Sequence, residues 1–175
     1  LRMLAANLNP SDLGIIGGSY GTLPPLPAVP GLEGVAEVLE SSKEVTHLRT
    51  GDRVRIPSEL GAWQSHLLAP AKGLLKVPSD LPAEQAATAL VNPPTALLLL
   101  QEVTDLKPGD WIIQNASNSA VGIAVIQIAK HLGLRTVNLV RRDELRSPLL
   151  ELGADVVLLD DDEYPKMLPD VTNGT

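Results

Sequence analysis

The chain has 175 residues, 44% of them hydrophobic and 20% charged, with a formal net charge of −7. That length holds one large domain or two small ones, the apolar content allows a buried core, and the charged fraction argues against a disordered chain. The negative charge disfavours nucleic acid and anionic membrane surfaces, and the absence of cysteine excludes disulfides and Cys-ligated zinc.

Up to about Pro78 the sequence is rich in Gly and Pro, with short β-type runs at 35–39, 53–56, 61–68 and 73–77. Gly51-Asp52, Pro57-Ser58, Pro70 and Pro78-Ser79 are turn signals between them. Short strands at this spacing predict a small, irregular β domain. Ser79-Asp80 ahead of Pro82, Ala83 and Glu84 then predicts a helix start, with a capping side chain, a first-turn proline and a carboxylate at the positive end. That helix is expected to run to about Leu90, break at Asn92-Pro93-Pro94 and resume from Thr95 to about Val103.

Lys107-Pro108-Gly109-Asp110 is a turn, and 111–115 is a buried strand candidate. Over 119–132 the apolar residues Val121, Ala124, Val125, Ile128, Ala129 and Leu132 recur at helical spacing, and Gly133 ends the helix. A second strand is expected at 136–140, a second helix at 144–152 interrupted or delayed by Pro148, and a third strand at 156–159 after Gly153. The order β-α-β-α-β predicts a parallel sheet with right-handed crossovers. The tail 160–175 opens with four acidic residues and contains two prolines without periodicity, so a poorly ordered end is expected.

His47, His66 and His131 lie far apart and read as surface residues, giving no metal-site spacing. No apolar run approaches the ~20 residues of a membrane span. No charged leader precedes an apolar stretch, so no targeting segment is expected, and Leu1 reads as a start inside an element.

The turn between the strand at 111–115 and its helix is the place to look for a nucleotide. A dinucleotide-binding turn uses G-x-G-x-x-G so that the backbone can approach the pyrophosphate. Here the three glycine positions hold Ser117, Ser119 and Gly122, of which only the last is glycine. Small residues still permit close approach, and the free N–H groups of a helix start favour an anion. The competing reading is a tight turn capped by Asn118 or Ser119. After the second strand an NAD-binding unit needs an acidic residue for the ribose hydroxyl. This chain has Arg141-Arg142 there, whose forked guanidinium groups suit a 2′-phosphate. The alternative is a solvated basic helix start.

Five further motifs occur in order: Asn9-Pro10-Ser11-Asp12, Gly17-Gly-Ser-Tyr-Gly21, Pro30-Gly-Leu-Glu-Gly-Val35, Gly51-Asp-Arg-Val54, and Asn92-Pro-Pro-Thr-Ala96 followed by Lys107-Pro-Gly-Asp110. Together they resemble the medium-chain dehydrogenase/reductases over nearly the whole chain. Gln114-Asn-Ala-Ser-Asn-Ser-Ala-Val-Gly122 and Val91-Asn-Pro-Pro-Thr95 are similar to the mitochondrial 2-enoyl thioester reductases, whose turn is Asn-rich where that of quinone reductases is richer in Gly. The resemblance implies an α/β fold with a GroES-like catalytic β domain over 1–80, N-terminally incomplete. It implies that 81–175 is the first half of a Rossmann-type, doubly wound parallel sheet, truncated and binding NADPH.

By the same resemblance Tyr20 falls at the catalytic tyrosine, and Asn92, with Thr95 in the same motif, falls at a cofactor contact. Asn118, Ser119, Ala120, Val121 and Gly122 match the phosphate-binding turn, and Arg141 and Arg142 the 2′-phosphate site. Two departures stand out. Ala120 occupies a position that is commonly Gly, and Leu32 stands where zinc-dependent relatives have His, so a catalytic zinc is not supported. Glu33 is read as structural within its Gly-flanked turn.

The implied activity is NADPH-dependent reduction of the 2,3 double bond of trans-2-enoyl thioesters in fatty acid synthesis, with enoyl-CoA or enoyl-acyl carrier protein as substrate. Hydride reaches the β-carbon, and a neutral phenol at Tyr20 donates to the thioester oxygen or protonates the α-carbon. The alternative for Tyr20 is an aromatic packed over the core. The resemblance also implies a mitochondrial location, or a cytoplasmic one in a bacterium, and a homodimer when the chain is complete. Sheets of this type have about six strands, so an isolated chain is expected to be marginally stable, aggregation-prone and catalytically impaired, with an exposed strand edge at 156–159 and an open apolar face of the sheet. Two rival functions stay open: a zinc-free quinone or enone oxidoreductase of the same fold, and a non-catalytic NADPH-binding relative.

Overall fold

The computed structural model describes residues 1–174. The chain divides into two compact units, the first spanning Leu1–Val91 and the second opening at Asn92.

In the first unit β1 (Arg2–Ala6), β2 (Gly34–Glu37), β3 (Arg53–Arg55) and β4 (Leu75–Lys76) form an antiparallel sheet in that order. Alternation decides which side chains go inside: Ala36, Val54 and Ile56 are buried with Val38, Leu48, Ala62 and Leu74 in one core cluster. A register shift between Met3 and Ala5 lets β1 follow β2. The first helix, α1 (Pro10–Ile16), is not foreshadowed by any apolar period; it starts on Pro10, which needs no donor at that position. The buried Asp12 carboxylate accepts from the N–H groups of Asn9 at 2.7 Å and Leu32 at 2.8 Å, tying α1 to the turn before β2.

The expected strand at 61–68 is not one. His66 makes an isolated bridge to Arg2, while Gly61 sits at φ 68° and the Gln64 side chain donates to the carbonyls of Leu60 and Gly61. These side-chain bonds coil the segment before a ladder can form. The first helix after Pro82 is α2 (Ala83–Ala87), shorter than expected. Its Ala86 and Ala87 are buried with Val35, so the segment 81–91, which the sequence suggests as the opening of the nucleotide domain, packs within the first unit.

The second unit opens with α3 (Asn92–Gln101). The Asn92-Pro93-Pro94 sequence, expected to break a helix, starts one instead. Prolines in a first turn lack only N–H groups that have no intrahelical acceptor anyway. Next come β5 (Trp111–Gln114), α4 (Ala120–His131), β6 (Arg135–Val140), α5 (Arg146–Leu152) and β7 (Val156–Leu159). The three strands are parallel in the order β5-β6-β7, as the β-α-β-α-β reading requires. Pro148 is accommodated in the first turn of α5, which a 3₁₀ turn at Asp143–Leu145 precedes, and Gly153 closes it at φ 109°. Ala96 and Leu100 of α3 pack with Ala124, Val125 and Ala129 of α4, while Ile126 on the adjoining face of α4 packs with Val140, Leu149 and Val157.

The tail contains a helix, α6 (Tyr164–Val171), where a poorly ordered end is expected from the sequence. Tyr164, Leu168 and Val171 pack against Val137, Leu139 and Leu158, burying part of the apolar surface expected to lie open beside β7. Asp161 accepts from the N–H groups of Glu163 and Tyr164 and so opens the helix. The apolar period is hidden because it covers two turns only and is crossed by Pro165 and Pro169. No helix among the described residues is long and apolar enough to cross a membrane.

Candidate active site

The candidate residues fall into two groups. Tyr20 belongs to the first unit, and Asn92, Thr95, Asn118, Ser119, Ala120, Val121, Gly122, Arg141 and Arg142 to the second.

Tyr20 lies in the bend that follows α1. Gly18 at φ 72° and Gly21 at φ 61° bracket it, conformations costly for residues with a Cβ. The loop folds back on α1: the Ser19 N–H donates to the Gly14 carbonyl at 2.9 Å, and a Cβ at Gly14 would lie 2.8 Å from Tyr20 Cβ. Tyr20 is 55% exposed, so packing over a core does not account for it.

The second group is organised by the turn from β5 into α4. Ser119 is the N-cap, its hydroxyl accepting from the Gly122 N–H at 3.1 Å. That leaves the N–H groups of Ala120 and Val121 at the head of a 12-residue helix with no intrahelical acceptor. Ala116 takes a positive φ of 47° to make the turn. A Cβ at Gly122 would meet the Ser117 carbonyl oxygen at 2.6 Å, so the one glycine kept from the fingerprint is required by helix-to-turn contact. Gly122→Ala is therefore expected to cost about 1–3 kcal/mol of unfolding free energy. Urea denaturation with an unchanged m-value would read this; a loss under about 0.5 kcal/mol, the usual surface range, would sink it.

The turn is joined to the end of β6. The buried Ser117 donates its N–H to the Leu139 carbonyl at 3.2 Å, two residues before Arg141. Arg141 and Arg142 are both exposed where β6 ends, and Arg142 pairs with Glu144 at 3.3 Å. Asn92 and Thr95 form the first turn of α3, whose next residue, Ala96, is packed in the cluster that contains Val121 and Ala124. Negative phosphate groups fit this cradle: a capped helix start, a close-packed glycine and two guanidinium groups at the neighbouring strand end.

Two polar networks are not evident from the sequence. Gln114 Nε2 donates to the Gly122 carbonyl at 3.0 Å and to Asn138 Oδ1 at 2.8 Å. Asn138 donates in turn to Thr136 Oγ1 at 2.9 Å and the Val156 carbonyl at 3.0 Å, and Asp155 accepts from the Thr136 N–H at 2.8 Å. The network binds the start of α4 to all three strands. Polar residues recurring inside apolar strands are its only signal in the sequence. The second network surrounds Glu33, which is fully buried and reaches beyond its Gly-flanked turn to segments distant along the chain.

A profile of the alcohol dehydrogenase GroES-like domain matches residues 1–79. The human mitochondrial enoyl-[acyl-carrier-protein] reductase is 49% identical over 168 residues, 93% of this chain and 45% of that protein. The structure of an Etr1p/NADP/crotonyl-CoA complex superposes with a TM-score of 0.90 at 31% identity, covering 99% of this chain and 56% of that one. A quinone oxidoreductase of Pseudomonas syringae superposes at 0.83, also at 31% identity, over 99% of this chain and 54% of that one. The chain thus spans about half the length of the curated relatives it matches. A GroES-like domain followed by a parallel βαβαβ unit, with identity at this level, makes the chain similar to the medium-chain dehydrogenase/reductases and, among them, to the mitochondrial 2-enoyl thioester reductases.

Proposed function

We propose that the protein reduces the 2,3 double bond of trans-2-enoyl thioesters with NADPH, as a mitochondrial step of fatty acid synthesis. The observation that carries this reading is the 49% identity to the human mitochondrial reductase across 93% of the chain. The NADP and crotonyl-CoA in the Etr1p complex support the cofactor and the substrate class. The carrier of the acyl group is coenzyme A or acyl carrier protein, and the working assembly is a homodimer.

NADPH, when bound, supplies a hydride to the electron-poor β-carbon. The residues of this chain do the rest. The N–H groups of Ala120 and Val121, with the Ser119 cap, receive the pyrophosphate at the head of α4. Arg141 and Arg142 hold the 2′-phosphate, and Asn92 and Thr95 contact the cofactor from the first turn of α3. The Tyr20 phenol donates to the thioester oxygen as negative charge gathers there, or delivers a proton to the α-carbon. Leu32 leaves no imidazole at the position where zinc-dependent relatives have His.

A second reading, a quinone or enone oxidoreductase, is favoured by the Pseudomonas syringae structure. NADPH oxidation by the full-length protein, followed with crotonyl-CoA and with a simple quinone, separates the two. Turnover of crotonyl-CoA with saturated acyl thioester as product is the expected result. Quinone turnover with no reduction of crotonyl-CoA would overturn it.

A further inference from the structure

Glu33 is fully buried, yet the proposed reaction gives it no part. Its carboxylate is divided between two pairs of donors. Oε2 accepts from the side-chain amides of Asn7 at 3.0 Å and Asn9 at 2.8 Å. Oε1 accepts from the main-chain N–H groups of Leu90 at 3.1 Å and Val91 at 2.7 Å. The first pair is itself fixed: Asn7 Nδ2 also donates to Asn9 Oδ1 at 3.2 Å, and the Asn7 carbonyl accepts from Trp63 Nε1 at 2.9 Å. The second pair belongs to the turn that follows α2, and Val91 is bonded covalently to Asn92, the first residue of α3.

Four donors converging on one group call for a carboxylate, which accepts at both oxygens and donates at neither. An uncharged glutamine would turn its NH₂ against one of the pairs. A buried charge is poor evidence for stability in itself, because its desolvation offsets much of what its partners return. What this one does locally is hold two successive main-chain N–H groups immediately ahead of Asn92.

We infer that Glu33 is a positioning residue for cofactor binding, acting through the N–H groups of Leu90 and Val91 to set the backbone that enters Asn92. The inference rests on the reading of Asn92 as a cofactor contact. A residue with a general structural role would weaken binding whatever stood at position 92. A residue that acts through Asn92 loses its influence once the Asn92 side chain is removed.

The test is a double-mutant cycle on the full-length protein, with the NADPH Kd measured by fluorescence titration. Glu33→Gln is expected to raise Kd about tenfold. In the Asn92→Ala background the same change is expected to alter Kd by less than about twofold, within the error of an additive cycle. Glu33→Asp keeps both acceptor oxygens but is one methylene short; it is expected to give a smaller rise, silenced in the same way, and it carries the cycle if Glu33→Gln does not fold. Equal losses in both backgrounds, or an unchanged Kd in the single variants, would overturn the inference while leaving the cofactor site intact. A wild-type protein that binds no NADPH, or Asn92→Ala binding as wild type does, would sink the reading of the site itself and the inference with it.

Discussion

Replacing Tyr20 with Phe is expected to lower kcat for enoyl thioester reduction by about a hundred- to a thousandfold, the range seen when one donor to a developing oxyanion is removed. The substitution takes away one oxygen atom and keeps the ring. The loop is set by Gly18 and Gly21 at positive φ and by the return of Ser19 to the Gly14 carbonyl, none of which involves the hydroxyl. Tyr20 is 55% exposed. NADPH affinity and thermal stability should therefore stay as in the wild type. An interaction made only in the transition state lowers kcat and kcat/KM together, so steady-state kinetics with crotonyl-CoA provide the check. A Phe variant within about threefold of wild-type kcat, well short of a single donor's contribution, would remove Tyr20 from the chemistry.

Arg141→Ala is expected to weaken NADPH binding by about ten- to a hundredfold, the equivalent of one charge-assisted hydrogen bond to phosphate. NADH, lacking the 2′-phosphate, should bind the variant as it binds the wild type. The two arginines are not equivalent. Arg142 already spends its guanidinium on Glu144 at 3.3 Å, whereas Arg141 has no ion pair among the described residues. Arg142→Ala should thus produce the smaller loss, since an exposed pair contributes little and must be given up before a phosphate is engaged. Fluorescence titration of both variants with both nucleotides reads the result. Equal losses for NADPH and NADH would show that Arg141 does not read the 2′-phosphate.

Much of this site is legible in the order of residues alone. Periodicity marks α4, its glycine stop and the three parallel strands, because a buried helix face and buried strands each impose a repeat on neighbouring residues. The loss of two fingerprint glycines does not hide the turn, since Gly122 remains at the position where a Cβ would strike the Ser117 carbonyl. Arg141-Arg142 can be singled out because their proposed role depends only on their following the second strand.

Residues whose role is set by distant partners are not legible in this way. The prolines at 93 and 94 read as a break although they occupy the first turn of α3, since the same missing N–H is harmful inside a helix and harmless at its start. The helix α6 is too short to announce itself and exists by packing Tyr164, Leu168 and Val171 onto the sheet. The run at 61–68 has the composition of a strand but coils through its own side-chain bonds. The order of elements, the turn proposed to bind the nucleotide and the charge proposed to select it are thus determined by the sequence itself, because each is a property of neighbours along the chain. The carboxylate of Glu33 meeting Leu90 and Val91, and the Gln114–Asn138 link between two strands, are decided only by the tertiary structure, because a buried acceptor takes whichever donors the fold brings to it.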